Sequence, residues 1–290
     1  MKMKIRNVIY ALACAVMTLA SCDTVDKNDR YLSYDDGIGG ITDGTDDSGR
    51  PTSVQRAVLI EDFTGQMCVN CPNAVPVIEG LERIYPGKIV AVAIHAGMVL
   101  PPALGNLALQ TEVGEQYYND AGRPAQPAGR IGRVGGTSLP DKWAAGAQDV
   151  LRQQSPVWLG VNSAYDAATR KVNIAVEAYG IEAASGNLQI WLTEDGIVAP
   201  QFLPDGGRDM NYVHNHVFRA AVNGAYGESF AIAKGEDKTV TAEATLADHW
   251  NVDNMSVVAF VYDASGVLHV VKQPVIPEPD ETEDADESVE

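Results

Sequence analysis

The chain contains two regions with different hydrophobic periods. Residues 56–63 and 88–96 are short runs rich in β-branched and aliphatic residues, which is the pattern of buried strands. Between them, residues 73–85 carry apolar side chains at helical spacing and end before Pro86 and Gly87, which predicts an amphipathic helix. Strand, helix and strand in this order predict a parallel β-α-β unit.

Two more helices are predicted at 105–119 and 141–153, and they complete a first folded region at 53–154. From residue 155 onward, short apolar runs alternate with turn residues, which predicts antiparallel strands. This spacing is typical of an all-β immunoglobulin-like sandwich at 155–276, with a long polar and aromatic connection at 201–227. The predicted strands are 157–164, 171–179, 188–193, 238–245, 256–262 and 267–271.

The amino terminus has the order of a bacterial lipoprotein signal. Three basic residues precede an apolar run at 8–20, which is too short for a permanent membrane helix, and small residues then precede Cys22. This order fits the lipobox at which a signal peptide, 1–21, is removed and Cys22 is diacylated. The alternative is an ordinary signal peptide with Cys22 as an incidental thiol. A lipid anchor at a membrane surface is therefore predicted.

The segments beside the folded regions are polar. Residues 22–52 are rich in Asp, Gly, Ser and Thr and have too little apolar surface to order themselves, which predicts a flexible acidic tether. Residues 277–290 hold eight carboxylates and no basic or aromatic residue, which predicts a disordered acidic tail. The net charge of -18 excludes nucleic acid as a partner, because the chain could not replace the counterions of phosphate.

Export leaves two cysteines in the folded part of the chain. One cysteine leaves with the signal peptide and Cys22 takes the lipid, so Cys68 and Cys71 are each other's only intramolecular disulfide partners. They could be a redox-active pair, a structural disulfide or a zinc half-site. The redox pair is favoured, because a disulfide in so small a loop constrains the unfolded chain little. His214 and His216 could share a metal on an extended chain, but further ligands are not evident, so no metal is predicted.

The sequence around this pair resembles the active-site segment of thioredoxins. An Asp-Phe pair at 62–63 precedes the Cys-x-x-Cys, and Pro76 follows it. Cys68 is the predicted attacker because it stands at the start of the predicted helix, and Cys71, one turn later, is the predicted resolver. The resemblance implies that Asp62 moves the proton of Cys71. The alternative for Asp62 is a strand-end carboxylate that caps a turn.

The thioredoxin resemblance also implies a substrate-binding strand that is led by a cis-proline. Pro127 is the predicted cis-proline, with Gln126 beside it in the substrate site, and Pro124 is the competing choice. His95, at the end of the second predicted strand, is a candidate for proton transfer. Its alternative is a hydrogen-bonded structural histidine. The predicted fold class is therefore an α/β thioredoxin-like domain followed by an all-β immunoglobulin-like sandwich domain.

Four segments together resemble the 28-kilodalton outer-membrane protein family of Bacteroidetes lipoproteins. They are Thr-Gly-x-x-Cys-x-Asn-Cys-Pro at 64–72, Ile-His-Ala-Gly at 94–97, Pro-x-Gly at 127–129 and His-Asn-His-Val-x-Arg at 214–219. The resemblance implies a lipid-anchored protein of the outer membrane, on its periplasmic face or at the cell surface. Members are also described as adhesive or fimbria-associated.

Two functions follow from these patterns. The first is thiol-disulfide exchange with the thiols or disulfides of exported proteins, without a cofactor, which needs a labile disulfide and an accessible Cys68. The second is a non-enzymatic adhesin or binding lipoprotein, with a surface ligand or fimbrial partner and an inert structural disulfide. The reactivity of the cysteine pair distinguishes the two functions.

Overall fold

The computed structural model describes residues 44–45 and 51–276. The predicted signal peptide, the lipidation site Cys22 and the predicted tail 277–290 lie outside the described residues. Two short strands, β1 (Gly44–Thr45) and β2 (Pro51–Ser53), pair in an antiparallel manner, and all but Ser53 of them lies in the segment 22–52 that was predicted to be a flexible tether. That part of the predicted tether therefore has β structure.

The described residues form fifteen strands and three α-helices. None of these helices is long and apolar enough to cross a membrane. The helices are α1 (Val75–Ile84), α2 (Glu112–Asp120) and α3 (Trp143–Leu151). The strands are β1 (Gly44–Thr45), β2 (Pro51–Ser53), β3 (Val58–Thr64), β4 (Ile89–His95), β5 (Ala128–Ile131), β6 (Val157–Asp166), β7 (Lys171–Gly180), β8 (Ala184–Glu194), β9 (Ile197–Phe202), β10 (Arg208–His214), β11 (Val217–Ala221), β12 (Glu228–Ile232), β13 (Asp237–Thr245), β14 (Met255–Asp263) and β15 (Gly266–Pro274).

The helices begin later than the sequence predicted. A 3-10 turn, Cys71–Ala74, precedes α1, so Cys68 lies in the loop before this turn and not at a helix start. The helix predicted at 105–119 is divided into a 3-10 turn and α2. The Thr111 hydroxyl accepts a hydrogen bond from the Gly114 amide and caps α2 there, which explains the later start.

Eight strands form one sheet that includes both predicted domains. Its main order is β15-β14-β8-β11-β4-β3-β5, and β12 pairs with β8. β3 and β4 are parallel, as the β-α-β pattern predicted, and β5 is antiparallel to β3. Strands from both sides of residues 154 and 155 share this sheet. The domain boundary at 154/155 stays a prediction.

The predicted long connection at 201–227 was wrong, because it contains regular strands. It holds the end of β9, all of β10 and all of β11. β11 pairs with β4 through Val217 and Ala93 and with β8 on its other side, so it joins the two halves of the sheet. Polar residues interrupt the alternation of apolar and polar positions in this segment, so the sequence pattern did not predict these strands.

Both faces of β3 are buried, which explains why apolar residues occur on both of them. Val58 and Ile60 pack with residues of α1 and α3 on one face. Leu59 and Phe63 point to the other face, where an aromatic cluster with Trp191 packs against α2. The two acidic residues of β3, Glu61 and Asp62, consequently lie on opposite faces of the same sheet.

A second sheet, β13-β7-β6, packs against the carboxyl-terminal half of the large sheet. β7 alternates between buried and more exposed residues, and its buried side chains include Val172, Ile174 and Val176. They pack with Ile190 and Val257 of the large sheet. The six strands that were predicted after residue 155 are present as β6, β7, β8, β13, β14 and β15.

Candidate functional site

The two cysteines of the described chain form a disulfide between β3 and α1. The Cα atoms of Cys68 and Cys71 are 5.4 Å apart. Only 4% of the surface of Cys68 and 3% of that of Cys71 is exposed. The disulfide is therefore covered, where an open oxidoreductase site would expose the attacking cysteine.

The β9–β10 hairpin covers the loop that carries the disulfide. The side-chain amide of Gln201 donates to the Cys68 carbonyl at 3.0 Å. The Phe202 backbone amide donates to the Gln66 carbonyl at 2.8 Å, and the Gln66 side chain donates to the Pro200 carbonyl at 3.2 Å. Two buried glutamines thus fasten the hairpin to the disulfide loop.

Asp62 lies on the face of β3 that points toward α1. It pairs with Ala93 of β4, and Thr64 pairs with His95, so Asp62 and His95 point to the same face of the sheet. Asp62 is buried, and its Oδ1 atom has no hydrogen-bond partner among the described residues. Burial raises the pKa of the Asp62 carboxyl from 3.8 to about 7. This carboxyl can therefore exchange a proton near neutral pH.

His95 meets a second histidine that the sequence did not connect with it. The hairpin brings in His214, whose ring lies edge-on to that of His95 with ring centroids 5.2 Å apart. Nδ1 of His95 and Nε2 of His214 are buried and have no hydrogen-bond partner within the described ranges. Burial lowers the pKa of His95 to about 3 and that of His214 to about 4. Both rings are therefore neutral at pH 7.

A cavity of about 60 Å³ lies among these groups and Cys71. Its volume is sufficient for water, which needs roughly 10–15 Å³ measured in this way. Exposed residues of α1 and of the β10 end also line it, so it extends from the protein surface to the disulfide. The buried polar lining includes Asp62, His95 and His214, and the exposed lining includes Glu79, Val213 and Asn215.

The Gln126–Pro127 peptide bond is cis, in agreement with the conformation predicted for Pro127 and not with a cis bond before Pro124. Pro127 leads into β5, which pairs with β3. The Gln126 side-chain amide donates to the carbonyls of Thr64 at 2.9 Å and Ala96 at 3.0 Å. Gln126 thus connects the ends of β3 and β4, and the substrate-binding roles of Gln126 and Pro127 stay predictions.

His214 and His216 have different neighbours. His216 has a φ angle of 59°, so the chain is not extended there. Its Nδ1 lies 3.5 Å from an Asp195 carboxylate oxygen, and its Nε2 lies 3.6 Å from one of Glu82. In residues 44–45 and 51–276, no three His, Cys, Asp or Glu side chains are grouped so that they could hold a metal ion.

The sequence analysis did not identify Gln66 and Gln201. Each is 3% exposed, and each makes its important contacts with segments far away in the chain. The one available signal was the position of Gln66 beside the cysteine motif. A glutamine there has no distinctive local pattern, so its contact with the hairpin could not be anticipated.

A family model described as outer membrane protein Omp28 matches residues 114–278, which is more than half of the chain. This chain belongs to the Omp28 family. The predicted family resemblance is confirmed, and the location of this Omp28 family member is the outer membrane. The matched span begins after Cys71, so membership does not test the chemistry of the cysteine pair.

Solved structures resemble parts or most of this Omp28 family member. HBP35 of Porphyromonas gingivalis has 18% sequence identity and a TM-score of 0.60, over 82% of each chain. A domain of the outer membrane lipoprotein Omp28 from the same organism has 24% identity and a TM-score of 0.31, over 43% of this chain and 91% of that one. No curated protein matches the chain. The similarity to HBP35 concerns the fold alone.

Proposed function

We propose that this protein is a lipoprotein, lipidated on Cys22, that exchanges disulfides with exported proteins. Its proposed architecture is a thioredoxin-like domain at 53–154 followed by an immunoglobulin-like sandwich at 155–276. The observation that carries the proposal is the buried carboxyl of Asp62, whose Oδ1 lacks a hydrogen-bond partner in the described chain and which shares a cavity with Cys71. Burial of an unpaired acid costs stability, so proton transfer is a better reason for its presence.

The proposed reaction moves a proton between Asp62 and Cys71. A substrate thiolate attacks Sγ of Cys68, the Cys68–Cys71 bond breaks, and the Cys71 thiolate takes the proton of Asp62. A second substrate thiolate attacks the substrate sulfur of the mixed disulfide and releases the Cys68 thiolate. The substrate dithiol is oxidised and the protein disulfide is reduced. In the reverse direction, the Asp62 carboxylate accepts the proton of Cys71 before Cys71 resolves the mixed disulfide.

The β9–β10 hairpin must move before a substrate can reach Cys68. Loss of the Gln66 and Gln201 side chains removes hydrogen bonds that are each worth about 1 kcal/mol. In the Gln66→Ala/Gln201→Ala variant, we expect the disulfide to be reduced by dithiothreitol about tenfold faster or more, because the open hairpin is more populated. Thiol alkylation over time measures this rate.

Gln148→Ala is the matched control for the hairpin variant, since the Gln148 amide donates to the hydroxyl of Tyr85, the residue after α1, and not to the hairpin. Its reduction rate should equal that of the unchanged protein. Equal rates for the double variant and for both of these proteins would contradict a covering role of the hairpin. Thermal melting of each variant separates local opening from a loss of the whole fold.

The proposed function is tested with the full lipoprotein in detergent. We expect a Cys68/Cys71 reduction potential of about -120 to -270 mV, the range of dedicated oxidoreductases, after equilibration with glutathione. Cys71→Ser should accumulate mixed disulfides with exported proteins at Cys68, and Cys68→Ser should not. A potential below about -300 mV, together with no trapped protein, would identify a structural disulfide.

A groove on the second sheet favours the other candidate function, non-enzymatic binding. It has a volume of about 520 Å³ and crosses β6, β7 and β13. Amide, hydroxyl and carboxylate groups of its lining could hydrogen-bond a surface ligand or a fimbrial partner. These groups belong to Asn162, Ser163, Asn173, Thr241 and Glu243. Under this candidate, substitutions in the groove would remove ligand binding and Cys68→Ser would not.

A further inference from the structure

Besides Nδ1 of His216, which lies 3.5 Å from an Asp195 carboxylate oxygen, three buried polar atoms around one cavity lack hydrogen-bond partners among the described residues. They are Oδ1 of Asp62, Nδ1 of His95 and Nε2 of His214. Each of these residues lines the cavity beside Cys71 and is no more than 5% exposed. Unpaired buried polar groups are uncommon, and ordered water is the usual partner of such groups when a cavity has room for it. The cavity beside Cys71 has that room.

We propose that His95 and His214 are positioning residues that hold, in this cavity, the water that carries the proton between Asp62 and solvent. This inference rests on the proposed thiol exchange for its biological use, but the proton path can be measured without exchange. The path needs two ends. Its inner end is the Asp62 carboxyl beside Cys71, and its outer end is the exposed lining at Glu79 and Val213.

The need for a path follows from the balance of the reaction. When the Cys71 thiolate takes the proton of Asp62, a carboxylate is left in the buried site beside Cys71. This carboxylate must regain a proton from solvent before the next cycle in the same direction. In the reverse direction, the proton that Asp62 takes from Cys71 must leave. One proton moves along the path in each cycle, and no oxidant or reductant other than the exchanging thiols is needed.

Neutral imidazoles are suited to this task. One nitrogen of each ring donates to backbone carbonyls, of Ala93 for His95 and of Ala199 and Pro200 for His214, and the other is left as an acceptor that can orient water. The lowered pKa values of His95 and His214 keep both rings neutral, so neither retains the proton. Their edge-on contact connects the strand that carries His95 to the hairpin that carries His214. The ionisable groups that face this path from the surrounding elements are Asp62, Glu79, Tyr212, His216 and Arg219.

The test follows protonation of Asp62 in the oxidised full-length protein. A rapid pH jump from 8.5 to 5.5 protonates the buried carboxyl, and time-resolved infrared spectroscopy detects its carbonyl band, which Asp62→Asn must lack. In His95→Phe and His214→Phe, we expect this protonation to be about tenfold slower or more, which is less than the roughly 10²–10⁴-fold contribution of a side chain that transfers the proton itself. His214→Gln, which can still bind water, should retain more of the rate than His214→Phe.

His249→Phe is the matched control, since His249 is an exposed histidine that is not part of the cavity lining. Its protonation rate should equal that of the unchanged protein. The proposal is overturned if the phenylalanine variants at 95 and 214 also protonate at the unchanged rate, or if no Asp62 band exists. If the variants do not fold, the protonation rate of Asp62 is measured in the unchanged protein in H₂O and in D₂O. Equal rates in the two solvents would overturn the relay.

The two proposals fail in different experiments. If His95→Phe and His214→Phe slow the protonation of Asp62 but Cys71→Ser accumulates no mixed disulfide, the proton path is retained and thiol exchange is rejected. Trapping with a protonation rate that His95→Phe and His214→Phe leave unchanged retains thiol exchange and rejects the relay. A structural role of the histidines would change the reduction potential and the melting temperature, whereas a relay changes the protonation rate alone.

Discussion

Replacement of Glu61 by glutamine is expected to lower the free energy of unfolding by about 3 kcal/mol or more, the usual cost of removing one partner of a buried ion pair. The Glu61 side chain is 1% exposed, and the Arg133 guanidinium contacts it at 2.8 Å. The same guanidinium lies 4.4 Å from the ring centroid of Tyr262 and 4.9 Å from that of Phe260. Burial alone would lower the pKa of Arg133, but Glu61 raises it. In Glu61→Gln the Arg133 charge stays buried without its counter-charge.

Urea unfolding of Glu61→Gln measures this effect, with Asp149→Asn as the control variant. Asp149 pairs with Arg152 on the surface, so Asp149→Asn should cost less than about 1 kcal/mol. The double variant Glu61→Leu/Arg133→Met should be more stable than Glu61→Leu alone, because the buried Arg133 charge is removed with its partner and the second arginine near Glu61, Arg130, is 22% exposed. Equal losses for Glu61→Gln and Asp149→Asn would show that the buried pair contributes no more than a surface pair.

Replacement of Asp62 by asparagine is expected to stabilise the oxidised protein at pH 8 by up to about 4 kcal/mol, because a tenfold change in proton affinity between the folded and unfolded states corresponds to about 1.4 kcal/mol. Burial raises the pKa of Asp62 from 3.8 to about 7. Between these two pKa values the native state binds more protons than the unfolded state, so this group makes stability fall as pH rises from about 4 to about 7. Above pH 7 the whole penalty is present, and asparagine removes it.

Urea unfolding at pH 4, 6 and 8 tests this sign. Asp62→Asn and the unchanged protein should have similar stability at pH 4 and should diverge as the pH rises. Asp141→Asn is the control, because Asp141 is exposed and its charge remains solvated in both states. If the stabilities of Asp62→Asn and the unchanged protein differ by a constant amount at all three pH values, the Asp62 carboxyl does not titrate in this range.

Glu61 and Asp62 show why adjacent residues of one type can have opposite effects on stability. They point to opposite faces of β3, and only Glu61 meets an arginine. On the other face, Asp62 meets a cavity and two neutral histidines. The sequence showed two adjacent acids near the end of a buried strand. It did not show which groups each carboxylate contacts on its own face of the sheet.

The candidate site was partly predictable. The resemblance of the segment around Asp62, Cys68 and Cys71 to the thioredoxin active site implied a redox pair with an acid behind it, because a short motif carries that resemblance locally. The contact between His95 and His214 and the cover over Cys68 were not predictable, because the hairpin is more than 100 residues away in the chain. The Gln201 contact with Cys68, for example, spans 133 positions.

The sequence by itself determined most of the regular elements, the cysteine partners and the family. Each of these depends on periodicity or spacing within a short window, which side-chain chemistry dictates locally. The tertiary structure decided that β11 joins the two halves into one sheet and that a hairpin buries the disulfide. It also decided that Glu61 pairs with arginine, while Asp62 Oδ1 has no hydrogen-bond partner within the described part of the chain. These features depend on which distant segments pack together, because burial and charge pairing exist only after the chain has folded.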